Sequence, residues 1–343
     1  MSASAAGRDP VDGTVGVPDR VGFIVGVSRS GTSLLLSLLD GHPQVLALPL
    51  ETKVFQWNHA DDPVSAFFDK TQFGKRLLDE GSAARETFER VMRAHLKGPC
   101  EFDDGLRAVA AATAAVWPRP DARLWIEKTP RHRNQLPMLL ERFGPRTRAL
   151  VVQRDPRATF ASHKARWDRK GEQAARRFAR KWLTVHALTQ HFLTHEPGVM
   201  VTRYEDFVLD TGREMARIAE HFGIDDHPAL RVPSKLGEGW AGNSSFDDGC
   251  TRDPDEARAR DAAAAPAIDS SSVDRWRTFP DADELETLEL LLGPAMRRYG
   301  YEPVNAEASG RRFSLDRWRL RVSSQLLLNL RRRRWGRSDP GEE

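Results

Sequence analysis

The stretch Val21–Leu39, VGFIVGVSRSGTSLLLSLL, constrains this chain more than any other. It opens as a run of apolar β-formers, crosses a polar loop bounded by Gly26 and Gly31, and continues as a leucine-rich helix. A strand that feeds a helix through such a loop leaves backbone N–H groups of the loop and first helical turn aimed at one point. An anion satisfies those groups, and the positive end of the helix dipole favours it. The segment therefore predicts an α/β layered fold with a phosphate-sized anion site at the end of its first strand.

The spacing from Gly26 to Gly31 matches a P-loop at both glycines, but Thr32 stands where the P-loop lysine belongs. Without that lysine the loop is poorly equipped for the β- and γ-phosphates of ATP. The cation here is Arg29, two residues before Gly31, so the loop suits a short, doubly anionic group at its tip. A basic residue followed by Ser30-Gly31-Thr32-Ser33 at the opening of a helix resembles the 5′-phosphosulfate loop of sulfotransferases that use 3′-phosphoadenosine 5′-phosphosulfate (PAPS). A second segment, Ala149–Trp167, strengthens the resemblance. It reads as a buried strand, then Arg154-Asp155-Pro156-Arg157, then a helix with Pro156 in its first turn, where a missing N–H is no loss. Ser162 lies eight residues after Arg154, about two helical turns on. The family's 3′-phosphate site has this form, an arginine at a strand end and a serine on the following helix.

The resemblance, which runs over about residues 20–300, implies a set of roles. Arg29, Ser30, Gly31, Thr32 and Ser33 hold the 5′-phosphate and the sulfuryl oxygens, and Arg154 and Ser162 hold the 3′-phosphate. Lys128, in Glu127-Lys128-Thr129-Pro130, approaches the leaving phosphate or the sulfuryl group. Tyr204, in Arg203-Tyr204-Glu205-Asp206, either lies near the nucleotide or is a core tyrosine with its hydroxyl tied down. Arg29 in place of the commoner lysine, and Glu51 in a Glu-Thr-Lys-Val segment, are similar to the branch that includes protein-tyrosine sulfotransferases, where the Glu is the catalytic base. Glu51 is thus the implied base and His42, on the exit from the first helix, the alternative. Sulfuryl transfer is analogous to phosphoryl transfer, an in-line displacement with charge on peripheral and leaving oxygens, and a guanidinium at Arg29 suits that charge. No metal is required. Trp240 and Asn243-Ser244-Ser245-Phe246 are candidates to close over the cofactor.

Strands are expected at Val21–Val27, Gln44–Leu48, Leu124–Lys128, Ala149–Gln153 and Val199–Arg203, with helices at Gly31–Leu39, Asn134–Phe143, Pro156–Trp167, Glu172–His195, Thr211–Phe222 and Asp283–Tyr299. Residues 51–120 are mostly helical in pattern, with Phe67, Phe68, Phe73, Phe88 and Met92 facing a core. This alternation predicts a mostly parallel sheet with helices on both faces, the P-loop-like α/β fold of the sulfotransferases, with ligands beyond the strand C-termini. Arg29, Lys128 and Arg154 follow three of those strands.

The 343 residues suffice for one large α/β domain at 21–305, preceded by a disordered lead-in at 1–20 and followed by a basic extension at 306–343. Within the domain, 237–272 lacks periodicity and reads as a lid or insert. Two cysteines, Cys100 and Cys250, make no metal cluster and are expected as free thiols in a reducing cytosol. Residues 1–20 contain no apolar segment of signal-peptide type, and no apolar run is long enough to span a membrane. A cytoplasmic location suits an enzyme that draws on PAPS. In Arg311–Arg337, Leu315, Trp318, Val322, Leu326 and Leu330 recur at helical spacing among arginines. Such a helix packs on its own domain or on a second subunit, or lies on anionic lipid. Its arginine run carries no nucleic-acid recognition motif.

The expected activity is transfer of a sulfuryl group from PAPS to a hydroxyl acceptor, which the sequence leaves open among small molecules, carbohydrates, lipids and peptides. The alternative is a P-loop kinase of a small hydroxyl substrate. Thr32 argues against it, and so does Arg154 where a Walker B strand needs an apolar residue. A third class is a module that binds the nucleotide or a membrane without turnover.

Overall fold

The computed structural model describes residues 17–167, 170–236, 238–239, 268–278 and 280–304. Its centre is a five-stranded sheet of β1 (Arg20–Gly26), β2 (Val45–Ala47), β3 (Leu124–Lys128), β4 (Arg148–Gln153) and β5 (Val199–Arg203), in the order β2-β3-β1-β4-β5. Every pairing is parallel; Ile24 of β1 lies opposite Lys128 of β3 and Leu150 of β4. The helices are α1 (Thr32–Asp40), α2 (Pro63–Lys70), α3 (Phe73–Arg76), α4 (Ala83–His95), α5 (Phe102–Val116), α6 (Leu136–Phe143), α7 (Pro156–Trp167), α8 (Glu172–His195), α9 (Tyr204–Leu209), α10 (Thr211–Phe222) and α11 (Ala282–Arg297).

Strand alternation explains why both faces are covered. Val21, Phe23 and Val25 of β1 join the core that holds Trp57, Phe67, Phe88 and Trp125, while Ile24 joins the opposite core with Leu35, Leu38, Ile126, Leu150 and Phe222. Phe23, Ile24 and Val25 are fully buried. Each contributes about 1.5–3 kcal/mol by leaving water, and a strand apolar on both faces has nowhere to go but between two helical layers. The phenylalanines expected in the core at 67, 68, 73 and 88 form one aromatic cluster with Trp57, for example Phe67 and Phe88 stacked at 5.7 Å.

Helix ends follow local chemistry. Asp62 accepts from the Val64 and Ser65 amides to start α2 ahead of Pro63, Asp210 caps α10, and Asp281 and Glu284 form a reciprocal capping box on α11. The N-cap of α1 is Gly31, in a left-handed conformation, and like α5 and α8 this helix has no side-chain cap on its first amides. The expected helix from Asn134 begins as a 3-10 turn over Pro130–Asn134 and becomes α-helical only at Leu136. Pro130 and Pro137 set that break, since each lacks an amide for a helical ladder. Among the described residues no helix is long and apolar enough to cross a membrane, and no cluster of three His, Cys, Asp or Glu side chains could hold a metal ion. Trp240, residues 243–246, Cys250 and the arginine-rich extension lie outside the described residues.

Candidate active site

Each strand of the five-stranded sheet delivers one of the sequence-predicted residues at or beyond its C-terminal end. Glu51 follows β2, Lys128 closes β3, the loop Val27–Gly31 follows β1, Arg154 follows β4 and Tyr204 follows β5. The sheet order therefore lines them up as Glu51, Lys128, loop, Arg154, Tyr204. Chain order alone would not suggest this.

The loop is tight. Gly26 has φ 156°, and a Cβ there would come within 2.6 Å of the Val152 carbonyl oxygen. Gly31 has φ 96°, and a Cβ there would run into the Tyr204 ring. Arg29 takes a left-handed conformation at φ 71° despite its side chain, a strain of about 1 kcal/mol or more that the surrounding contacts hold in place. Ser30 is 1% exposed, and its Oγ has no hydrogen-bond partner. An unsatisfied buried hydroxyl beside uncapped helix amides fits an anion as the missing acceptor.

On the β4–β5 side the structure gathers Arg29, Arg154, Ser162 and Tyr204. Arg29 Nε donates to Ser162 Oγ at 3.0 Å. Arg154 donates from Nη1 to the Arg29 carbonyl at 3.2 Å and from Nη2 to the Ser272 carbonyl at 2.8 Å, and its guanidinium lies 4.1 Å from the Tyr204 ring centroid. Its Nε is buried and unpartnered. The Tyr204 hydroxyl is 2.6 Å from Ser272 Oγ, so Tyr204 is both a core tyrosine and the wall against which Gly31 packs. Ser272 comes from the segment expected as a lid or insert; sequence reasoning gave it no role.

Behind this cluster sits a buried ionic scaffold that the sequence did not disclose. Arg157 grips Asp155 through Nε and Nη2, reaches Glu289 of α11 at 2.5 Å, and stacks 3.6 Å over Trp276. Burial opposes its charge, but Asp155 and Glu289 raise its pKa further above the ordinary arginine value. The Asp155 amide donates to Glu205, which also accepts from the Tyr301 hydroxyl at 2.8 Å. Burial raises the Glu205 carboxyl above the usual range. Of the two arginines in Arg154-Asp155-Pro156-Arg157, the second is thus a bolt between β4, α7 and α11.

On the β2–β3 side Lys128 Nζ donates to Ser33 Oγ at 3.2 Å and to Glu51 Oε1 at 3.3 Å. Lys128 is buried, whereas the Glu51 side chain keeps 35% of its surface. One ammonium thereby bridges the first turn of α1 and the predicted base. His42 is elsewhere. It precedes β2, at the opposite end of the sheet from Glu51. It is fully buried, with Nε2 2.9 Å from the Asp225 carbonyl and Nδ1 accepting from the Gln44 amide. Burial lowers its pKa, and it has no access to the loop from there.

A parallel sheet with a glycine-bounded strand–loop–helix joint at its central strand and cations on both sides is an α/β layered domain with a candidate anion site. The Sulfotransferase family model matches residues 23–228, and the chain belongs to that family. Three solved structures are similar to this chain. The sulfotransferase domain of the Synechococcus PCC 7002 olefin synthase is 18% identical, with 79% of this chain and 94% of that one covered and a TM-score of 0.47. The sulfotransferase domain from the curacin biosynthetic pathway is 17% identical over 82% and 97%, with a TM-score of 0.46. Retinol dehydratase, solved with androsterone and the inactive cofactor PAP, is 15% identical over 82% of each chain, with a TM-score of 0.41. No curated protein matches the chain in sequence.

Proposed function

We propose that this sulfotransferase takes its sulfuryl group from PAPS and delivers it to a hydroxyl acceptor, with Glu51 as general base and no metal. The observation that carries the reading is the double contact of Lys128 with Ser33 and Glu51. In-line transfer needs a donor anion on one side, a base on the other and positive charge between them. Ser33 belongs to the first turn of α1, which with the loop takes the donor, Glu51 faces the acceptor, and Lys128 lies between.

In this reading the Gly31–Ser33 amides and the Ser30, Thr32 and Ser33 hydroxyls hold the 5′-phosphate end, with Arg29 as the loop's own cation. Arg154 and Ser162 hold the 3′-phosphate, for which the unpartnered Arg154 Nε is a ready donor. Tyr204 supports the loop from below. Glu51 removes the acceptor's proton, and Lys128 stabilises negative charge on the sulfuryl or leaving phosphate oxygens. The acceptor class is open among small molecules, carbohydrates, lipids and peptides.

The test is incubation with ³⁵S-PAPS and fractionated extract of the native host, with and without EDTA. Label appearing in a product, undiminished by EDTA, is expected. Transfer of ³²P from ATP that depends on Mg²⁺, with no ³⁵S transfer, would replace this reading with the kinase.

A further inference from the structure

Two pairs of neighbouring residues meet across the ends of β2 and β3. Glu51 meets Lys128 at 3.3 Å, and the next residue, Thr52, donates its hydroxyl to Glu127 at 2.9 Å. Successive strand residues point to opposite faces. Lys128 therefore faces the phosphate loop while Glu127 faces the interior, and the Glu51–Thr52 segment straddles the strand end.

The two contacts are unequal. Glu51 is a third exposed, and a half-solvated ion pair of this kind contributes little rigidity. Thr52 and Glu127 are fully buried. Glu127 Oε1 also accepts from Thr129 at 2.5 Å, and Oε2 accepts from His132 Nδ1 at 2.8 Å. His132 is itself fully buried, edge-on to Phe55 at 5.7 Å and Phe102 at 5.0 Å. The Thr52 carbonyl accepts from Trp57 Nε1 at 2.7 Å, which fixes the same segment from its far side. A carboxylate at this depth is costly unless fully engaged, and this one is engaged by Thr52, Thr129 and His132.

We propose that Glu127, braced by His132 and acting through Thr52, is the positioning residue that sets the carboxylate of Glu51 against Lys128. The inference rests on the reading of Glu51 as the base. It adds that the reach of the base is set by a buried contact one residue away and not by its own ion pair.

Thr52→Val tests it, because the substitution keeps shape and removes only the hydroxyl. Two measurements are needed. A crystal structure of the variant should show Glu51 out of hydrogen-bond reach of Lys128. The rate of ³⁵S transfer from saturating PAPS into the acceptor fraction should fall about five- to tenfold with the KM for PAPS nearly unchanged, and the melting temperature should fall as well, because Glu127 Oε1 loses one of its buried donors. Thr52→Ser keeps the hydroxyl and should recover the greater part of the rate. In a Glu51→Gln background Thr52→Val should add little further loss, since both act through one carboxylate. An unmoved Glu51 in the crystal, or losses that multiply in the double variant, overturns the proposal. A Glu51→Gln enzyme with full activity overturns the base assignment instead, and the crystal structure still decides what Glu127 positions.

Discussion

Arg29 Nε lies 3.0 Å from Ser162 Oγ, a bond between the phosphate loop and helix α7 that spans 133 residues of chain. With Arg154 donating to the Arg29 carbonyl, the two phosphate segments read separately from the sequence form one cluster. The loop's only cation thus faces the side assigned to the 3′-phosphate. That places it between two candidate tasks, holding the nucleotide and stabilising the transferred group.

Arg29→Ala separates those tasks. A cation that acts on charge developing during transfer lowers kcat more than it raises the KM for PAPS. We expect that pattern. A rise in KM with kcat preserved would make Arg29 a nucleotide ligand only.

The nucleotide itself can be tested without an acceptor. 3′,5′-Phosphoadenosine at a hundredfold excess over its Kd should stabilise the fold by about 2.7 kcal/mol, and ATP, which lacks the 3′-phosphate, by much less. Melting followed by circular dichroism distinguishes the two. Equal shifts would remove the 3′-phosphate assignment of Arg154 and Ser162.

Arg154→Ala should weaken 3′,5′-phosphoadenosine binding by roughly 1.5–3 kcal/mol, the range for a charge-assisted hydrogen bond. Because Arg154 also bonds the Arg29 and Ser272 carbonyls, the melting temperature should drop as well. Calorimetric titration that returns an unchanged Kd, beside a lowered melting point, would reduce Arg154 to a structural tie.

Glu51→Gln keeps size and polarity but cannot take the acceptor's proton. Transfer should slow by about two to four orders of magnitude with the affinity for 3′,5′-phosphoadenosine nearly unchanged. His42→Asn should leave turnover close to normal, since both ring nitrogens of His42 are occupied by backbone at the far end of the sheet. A folded but inactive His42→Asn enzyme would transfer the base role to it.

Two half-buried histidines give the fold an acid limit. Burial lowers the pKa of His186, stacked on Trp182 at 5.6 Å, to about 4, and that of His221 to about 4 as well. The unfolded imidazoles titrate near 6.5, so as pH falls the unfolded chain binds these protons first. Stability is therefore flat above about pH 7 from this source and is lost between pH 6.5 and 4, by about 2–3 kcal/mol per histidine. Melting temperatures measured across that window should fall, and less steeply for His186→Gln. An unchanged slope in that variant would mean that His186 is not the group responsible.

The sequence by itself determined the sheet and its reading direction. Runs such as Val21–Val25 and Ala149–Val152 are apolar at every position, which forces them between two layers, and Leu124–Lys128, Pro156–Trp167 and Val199–Arg203 stand where their patterns put them. It also determined the strand–loop–helix joint at Gly26–Gly31, because glycines stand at the two positions whose backbone takes φ 156° and 96°. Tertiary structure alone decided which of the strand-end residues meet. Lys128 reaches Ser33 and Glu51 only because β3 inserts between β2 and β1 in the sheet, a choice made by long-range packing that no local pattern encodes. Burial decided the rest. Glu127, Thr52, His132 and Arg157 look in sequence like ordinary polar residues near a motif, and their weight comes from the loss of water around them, which makes each remaining hydrogen bond obligatory.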